Sequence, residues 1–502
     1  MAQRAVAITT ATLVAGMVLL PVAAVLWRGG GPGTLGPADW AALRFTLWQA
    51  AVSAGLSVAL AVPVARALSR RSFPGRVALI ALMGAPFILP VIVAILGLLA
   101  VFGGRGLINQ IGAPLGLPRL DIYGYHGVII AHVFFNLPLA VRLLLQGWQD
   151  IPAERFRLAA SLGAPVWRVL EWPMLRRICP GAFTVIFVIC LGSFAVALTL
   201  GGGPRATTVE LAIYQAFRFD FDLGKAATLA ALQLALGLAA GAFALRVAPK
   251  GGFGVGLDRQ IDRWDGTGVA ARLADSLWIA LAAGFLLLPL LSVALAGLPG
   301  LAKMPPEVWA AAARSLALAL GATALTLALA LPLLTGAGET AALMGISVSG
   351  LVLGTGYFLL LQPVIRPGDA ALPVTMLVNA LMALPFVIRI LRPGLEGARR
   401  DYARLAASLG LSGWHLWRIV YLPRLRRPLG FAAGLTAALS MGDLGVITLF
   451  ADGDNATLPL QIYRLMGSYQ MESARAAALL LLALSLGLFW VFDRGGRLHA
   501  AA

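Results

Sequence analysis

Apolar stretches long enough to cross a lipid bilayer recur from one end of this 502-residue chain to the other. A helix needs about 20 mainly apolar residues to span the hydrocarbon core, whereas the strands of a membrane barrel alternate apolar and polar residues over about 10 positions. Only 12% of the residues are charged, and soluble domains have about 25%. The chain is therefore predicted to be an all-α membrane protein.

Twelve transmembrane helices are predicted, in two groups of six. A polar, glycine-rich cytoplasmic linker at 251–270 separates a first repeat at 1–250 from a second repeat at 271–502. The first apolar stretch follows Arg4 and is long enough to span a bilayer, so we interpret it as a helix and not as a cleaved signal peptide. The predicted spans are residues 5–27, 46–68, 77–101, 127–147, 181–200, 226–246, 275–298, 315–334, 340–361, 372–392, 430–450 and 474–492.

Basic residues cluster in alternate loops of this scheme. They lie between spans two and three, four and five, six and seven, and ten and eleven, and after span twelve. Cytoplasmic loops of membrane proteins are enriched in Lys and Arg, so both termini are predicted to be cytoplasmic. The same clustering explains the net charge of +17, which in a soluble protein would suggest nucleic-acid binding. We therefore predict that the chain is embedded in a lipid bilayer and that it binds no nucleic acid.

Two polar segments contain the same seven residues, Arg-Leu-Ala-Ala-Ser-Leu-Gly. They occupy residues 157–163 and 404–410, an offset of 247 residues, and further along the chain the offset becomes 250, which pairs Ser193 with Asp443. With six spans in each half, the repeat is parallel, and the two halves are related by an axis along the membrane normal. Both polar segments are then on the cytoplasmic face.

Each polar segment has the pattern of a short helix. In the first, Glu154, Arg157 and Ser161 recur at three- and four-residue spacing, and Gly163 is suited to end the helix in a left-handed conformation. The second repeats this pattern with Asp401, Arg404, Ser408 and Gly410. Such a helix is a docking surface for a soluble partner or, alternatively, an amphipathic helix lying on anionic lipid. Its occurrence at two matching positions favours docking.

The residues that catalysis or metal binding would need are scattered. None of the three lysines is followed by Ser or Thr, so the chain has no phosphate-binding Gly-Lys-Ser/Thr motif. Of the four histidines, His126 and His132 are predicted to lie at the membrane interface. Cys179 and Cys190 would lie about 16 Å apart on one helix, too far for a disulfide. The sequence therefore predicts neither an enzyme nor a metal site.

The two polar segments resemble the cytoplasmic signature of permease subunits of binding-protein-dependent ABC importers, which reads Glu-Ala-Ala, three residues, Gly, with a hydrophobic-Pro pair downstream. In that family the segment forms a coupling helix in a groove of the ATPase. The resemblance implies ATPase contacts at Ala159, Ala160, Gly163, Ala406, Ala407 and Gly410. Arg157 and Arg404 replace the usual Glu, so Glu154 and Asp401, one turn earlier, become the candidate carboxylates.

The likeness extends over nearly the whole chain to the thiamine importer permeases in their fused, double-length form. Residues 200–208, Leu-Gly-Gly-Gly-Pro-Arg-Ala-Thr-Thr, and 441–446, Met-Gly-Asp-Leu-Gly-Val, are similar to that group. The resemblance implies a type I importer fold in the bacterial inner membrane and import of thiamine or its phosphates. It also implies two copies of a cytoplasmic ATPase that binds the ATP, and a periplasmic thiamine-binding protein. No cofactor is expected on this chain.

Other functions are alternatives to thiamine import. Related double-length permeases transport ferric iron, and another small solute is also compatible with the signature. An ion-coupled secondary transporter would need carboxylates inside the spans, and Asp443 is the one carboxylate deep in a predicted span. A membrane enzyme or scaffold lacks support because no reactive cluster is found.

The translocation path is predicted to include Ser193, Phe194 and Asp443. Charged groups inside a membrane are costly and usually face an interior cavity, so Asp443 is a candidate to attract a cationic substrate. Phe194 offers a ring face to a cation. The alternative role of Asp443 is a hydrogen bond between helices, and packing is the alternative for Phe194.

Overall fold

All the regular secondary structure in the residues that the computed structural model describes is helical, and these residues are 2–29, 35–84, 88–201, 203, 206–247, 263, 265–334 and 348–498. Eleven helices in these ranges are long and apolar enough to cross a membrane. The prediction of an all-α membrane protein is confirmed. Residues 340–347 of the predicted ninth span lie outside the described ranges, and its remainder forms the shorter apolar helix Gly350–Leu361.

The described helices are numbered here in chain order. They are α1 (Ala2–Gly29), α2 (Pro37–Arg70), α3 (Arg76–Leu82), α4 (Val91–Phe102), α5 (Leu107–Gly112), α6 (Tyr125–Gln149), α7 (Ala153–Ser161), α8 (Trp172–Leu191), α9 (Ala195–Leu200), α10 (Val209–Arg218), α11 (Leu223–Val247), α12 (Val269–Gly297), α13 (Pro306–Leu333), α14 (Gly350–Leu361), α15 (Pro367–Ser408), α16 (Gly413–Leu416), α17 (Leu422–Met441), α18 (Gly445–Phe450), α19 (Leu458–Gly467) and α20 (Met471–Leu498).

Within the described residues, three predicted spans are divided between two helices. The third is divided between α3 and α4. Pro90 precedes α4, and a proline lacks the amide hydrogen of a helix interior and disfavours helical geometry in the residue before it. The fifth predicted span, 181–200, is interrupted at 192–194, and the eleventh, 430–450, at 442–444. Glycine, which has low helix propensity, begins both of the latter interruptions.

A π-helical turn leads into each of the helices α8 and α17. The two turns are Trp167–Glu171 and Trp417–Tyr421, an offset of 250 residues. Pro173 and Pro423 follow directly at the second position of each helix. Because proline has no amide hydrogen for the carbonyl four residues earlier, a wider turn is a local alternative to the regular pattern.

The first helix of each predicted half packs against helices of the other half. The helix α1 packs against α13 and α14, and α12 packs against α2 and α4. A Cβ atom at Gly97 of α4 would lie 2.5 Å from the carbonyl oxygen of Pro289 in α12, and Gly356 of α14 approaches the carbonyl oxygen of Pro21 in α1 in the same way. Small residues at such crossings let membrane helices approach closely.

Candidate functional site

We refer to residues 153–163 and 400–410 as the first and second RLAASLG segments. The first contains the separate helix α7, which begins after Pro152 and is followed by Leu162 and Gly163. Gly163 has a φ of 59°, and the amide of Ala164 donates to the carbonyl oxygen of Ala159 at 2.9 Å. This is the left-handed helix end that the sequence predicted.

The second RLAASLG segment ends in the same way but begins differently. Gly410 has a φ of 65°, and the amide of Leu411 donates to the carbonyl oxygen of Ala406 at 2.9 Å. The prediction of a separate short helix is wrong here, because the segment continues α15, which has 42 residues. Arg399 occupies the position equivalent to Pro152, and arginine, unlike proline, continues a helix. At 1.5 Å per residue α15 is about 63 Å long, so its end projects beyond a bilayer core of about 30 Å.

Most of the predicted coupling residues are exposed in both segments. Those exposed are Glu154, Arg157, Ala160, Gly163, Asp401, Arg404, Ala407 and Gly410. Ala159 and Ala406 are buried, with exposed fractions of 5% and 4%, and face the rest of the chain. Leu158 and Leu162, with their equivalents Leu405 and Leu409, are exposed by more than half. The spacing of these leucines by four residues signalled a shared helix face, although the resemblance did not name them.

Ser193 lies in the interruption between α8 and α9. Backbone carbonyl groups at the end of α8 accept hydrogen bonds from side chains there. The hydroxyl of Ser193 is hydrogen-bonded to Nε2 of His132 at 2.6 Å, and Nδ1 of His132 to Ser53 at 3.3 Å. The amides of Gln49 and Gln233 donate to the carbonyl oxygens of Cys190 and Leu191 at 2.8 and 3.0 Å. Satisfied backbone groups make an interrupted helix tolerable inside a membrane protein.

His132 corrects one prediction. The sequence suggested an interfacial residue, but His132 is buried, with an exposed fraction of 4%, between the two serines. Asn379 in the second half occupies the position equivalent to His132, and its side-chain amide donates to Ser440 at 3.0 Å. Both polar side chains are thus directed at the interrupted helices.

Asp443 lies in the equivalent interruption between α17 and α18. Its Oδ1 accepts a hydrogen bond from the amide of Gly445 at 3.2 Å. Its Oδ2 is buried and has no hydrogen-bond partner among the described residues. A buried carboxylate oxygen is normally hydrogen-bonded, so this atom is a candidate contact for a bound group.

Phe194 brings the two interruptions together. Its ring lies 3.9 Å from the position that a Cβ at Gly445 would take, two residues beyond Asp443. The ring also packs edge-on against Tyr214, with 5.4 Å between centroids. The structure therefore places Phe194 beside the turn that contains Asp443, whereas the hydroxyl of Ser193 is bound to His132.

A cavity of about 310 Å³ is lined in part by Tyr214, whose ring also packs against Phe194. Its polar and aromatic lining comes from α9, α10, α19 and two loops. The lining side chains include Tyr123, Thr199, Tyr214, Gln215, Phe219 and Tyr463. This volume is at the lower end of the range for small-molecule sites, and aromatic rings suit a flat or cationic group.

Similarity to known proteins decides the family. The family model described as "binding-protein-dependent transport system inner membrane component" matches residues 276–494. The thiamine transport system permease protein of Salmonella typhimurium is 41% identical over 487 residues, which are 92% of this chain and 90% of the relative. The one of Brucella abortus is 39% identical over 508 residues, 96% and 93%. The chain belongs to the family of binding-protein-dependent transport permeases.

More distant similarity covers part of the permease. A molybdenum transport system permease protein of Azotobacter vinelandii is 30% identical over 178 residues, which are 35% of this chain and 78% of the relative. The permease is a transport subunit and not an enzyme, and it is a multi-pass protein of the inner membrane. Its family is binding-protein-dependent, so transport involves an ATPase and a solute-binding protein.

Proposed function

We propose that the permease forms the path by which thiamine, or one of its phosphates, crosses the bacterial inner membrane in an ATP-driven importer. The observation that supports the substrate is the 41% identity to a thiamine transport permease across 92% of the chain. Similarity of this extent includes both RLAASLG segments, both helix interruptions and the cavity. A path-forming role agrees with a chain that lacks an ATP-binding motif of its own.

The proposed architecture is two parallel halves of six transmembrane helices, with both termini in the cytoplasm and a cytoplasmic linker at 251–270. Equivalent π turns, equivalent interruptions and equivalent Gly–Pro crossings at Gly97 and Gly356 support it. The basic loops support the orientation. A parallel repeat gives the ATPases two similar surfaces on one face of the membrane.

Each RLAASLG segment receives one copy of the ATPase in this proposal. The exposed leucines, Leu158 and Leu162 in the first and Leu405 and Leu409 in the second, provide an apolar centre, and exposed charged residues surround it, as in typical interfaces. Glu154 and Asp401 are placed to meet basic groups of the ATPase, and Arg157 and Arg404 to meet acidic ones. A periplasmic binding protein delivers the substrate on the opposite face.

The substrate passes the turn that contains Asp443. The free Oδ2 of this carboxylate attracts the positive thiazolium ring of thiamine, and Phe194 offers a ring edge or face next to it. Asp443 then acts as a weak, passing contact and not as a tight site. Ser193 is held by His132 and has a positioning role at the equivalent turn.

The test uses the permease reconstituted in proteoliposomes with its ATPase and binding protein. We expect ATP-dependent uptake of labelled thiamine or thiamine diphosphate, and no uptake of labelled ferric iron. Uptake of iron without thiamine would reassign the substrate, whereas uptake of neither would contradict the proposal if the binding protein is shown to be loaded. Omission of the ATPase is the control.

A further inference from the structure

Arg263 of the predicted linker reaches into the first RLAASLG region. Its side chain is 2% exposed, and its Nη2 donates to Oε1 of Glu171, at the end of the π turn, at 2.5 Å. Its guanidinium group lies over the ring of Phe156 in α7, 4.6 Å from the centroid. One linker residue therefore contacts both α7 and the turn that leads into α8.

Glu171 is fully buried, so its charge depends on its partners. Besides Arg263, it accepts hydrogen bonds from Nε of Arg66 at 2.7 Å and from Nε1 of Trp148 at 3.0 Å. A buried carboxylate is tolerated when it is paired and its oxygens are hydrogen-bonded. The three donors come from α2, α6 and the linker, and they hold the π turn against all three.

A second carboxylate connects the linker to α2. Asp265 accepts from Arg263 at 2.7 Å and from Arg70 at 2.5 Å. Burial alone would raise the pKa of Asp265, but the hydrogen bonds and charges of Arg263 and Arg70 outweigh it and hold that pKa below its ordinary value. The carboxylate is therefore ionised at neutral pH.

The same group of charges also includes the start of α12. Arg71 at the end of α2 pairs with Asp275 of α12 at 2.6 Å, and its Nη2 donates to the carbonyl oxygen of Gly266 at 2.7 Å. We call the whole set the linker clasp. Its members are Arg66, Arg70, Arg71, Glu171, Arg263, Asp265 and Asp275.

The second half lacks the residues that contact Arg263 in the first half. Tyr421 stands where Glu171 does, and Ala403 where Phe156 does. Arg399 lies over the ring of Tyr421 at 5.9 Å from the centroid, near the limit for such a contact. The second RLAASLG segment is instead continuous with α15, and the ring of its Tyr402 lies against the guanidinium group of Arg424 in α17, 4.8 Å from the centroid.

We propose that Arg263 is a positioning residue that joins the first RLAASLG segment to the start of α12 through the linker clasp. Movement imposed on α7 then reaches the first helix of the second half as motion of one body, and α12 passes it to α4 at the Gly97–Pro289 crossing. This inference rests on the proposed docking role of α7. It assigns the linker a mechanical task besides joining the halves.

The structural test measures the distance between α7 and α12 in the full-length permease without ATPase. Spin labels are placed at the exposed positions Ser161 and Ser276, with Cys179 and Cys190 replaced by serine. In Arg263→Met, Glu171 keeps Arg66 and Trp148, and Asp265 keeps Arg70, so no buried carboxylate is left alone. We expect a narrow distance distribution in the parent protein and a broad one in Arg263→Met.

A matched variant and a conservative one sharpen this test. Arg399→Met removes the arginine that lies over the ring of Tyr421, the residue equivalent to Glu171, and we expect it to leave the Ser161–Ser276 distribution narrow. Arg263→Lys keeps the charge but loses the planar, two-sided contact, and we expect an intermediate width. Because these measurements need no substrate, their outcome is independent of whether thiamine is transported.

The functional readout is substrate transported per ATP hydrolysed in the reconstituted importer. We expect Arg263→Met to lower this ratio about tenfold, the effect of a coupling energy in the middle of the usual range, at temperatures well below the melting temperature of the variant. An unchanged distance distribution together with an unchanged ratio would overturn the proposal. A lower melting temperature with a normal ratio would also overturn it, since the clasp would then only stabilise the fold.

Discussion

The first RLAASLG segment contains a separate helix, Ala153–Ser161, whereas the second is the end of the 42-residue helix Pro367–Ser408. The seven identical residues adopt the same conformation in both, down to the left-handed glycine and the exposed leucines. The attachment differs, because Pro152 interrupts the helix in one half and Arg399 continues it in the other. Identical local sequence thus determines the exposed surface that we propose as the docking surface, and the flanking residues determine how that surface is attached to the rest of the chain.

The two helix interruptions show a second difference between the halves. At 192–194 the hydroxyl of Ser193 is bound to His132, whereas at 442–444 the Oδ2 of Asp443 has no partner among the described residues. One turn is therefore closed by contacts within the protein, and the other keeps an unused acceptor. In the proposed transport cycle, both halves contribute a docking segment and an interrupted helix, and only the second half contributes a carboxylate, Asp443, at the interruption.

The largest expected effect comes from blocking either docking surface. Gly163→Arg or Gly410→Arg places a long cation at a position where a Cβ meets no protein atom, so we expect the protein to insert normally and uptake to be abolished. Gly163→Asn and Gly410→Asn are the controls, because Asn tolerates a positive φ. Uptake assays and quantification of membrane-inserted protein check this. Normal uptake in both Arg variants would remove the docking role.

A smaller effect is expected from the free carboxylate. Asp443→Asn keeps the shape but removes the charge, and we expect uptake to fall about tenfold while the ATPase still associates. Ser193→Ala at the equivalent turn loses one internal hydrogen bond, and its uptake should fall about threefold at most. Equal losses in the two variants would mean that both turns have a structural role alone.

Exchanging the helix junctions tests why the segments are attached differently. Arg399→Pro interrupts α15 as Pro152 interrupts the first half, and we expect it to lower the free energy of unfolding by about 3 kcal/mol. Pro152→Ala removes a residue that lies outside the helix α7, and we expect a change below about 1 kcal/mol. Melting temperatures of the detergent-purified proteins check the order. A larger loss of melting temperature in Pro152→Ala than in Arg399→Pro would show that the stability of the protein does not depend on the continuity of α15.

The smallest expected effect is that of pH on the linker clasp. The pKa of Asp265 is lower in the folded protein than in the unfolded chain. The stabilisation by its carboxylate is therefore complete at any pH above the pKa of the unfolded chain, and it is lost only as the pH falls through the lower pKa of the folded protein. The Ser161–Ser276 distance should therefore stay constant from about pH 5 to pH 8. Broadening within this range would mean that another titrating group controls the clasp.

Features with local causes could be predicted from the sequence. Hydropathy predicted the membrane helices, and the spacing around Arg157 and Gly163 predicted the helix end that the structure has. The interruptions at Pro90, Gly192 and Gly442 escaped prediction, because hydropathy measures how apolar a stretch is and not whether its helix is continuous.

Contacts between distant parts of the chain escaped prediction for a different reason. Arg263 and Glu171 are 92 residues apart, and the orientation rule counted Arg263 as one more basic loop residue. His132 was placed at the interface because nothing in the sequence pairs it with Ser53 and Ser193. Such pairings depend on how the helices pack, which the residue pattern of one helix does not contain.

The most direct test of the central claim compares two energy sources in the same proteoliposomes. With ATPase, ATP and loaded binding protein present, we predict accumulation of thiamine against its gradient, and none when the permease alone is given a proton or sodium gradient. Accumulation by the permease alone under an ion gradient would contradict the account, because the chain would then convert energy without a partner acting on its two RLAASLG segments.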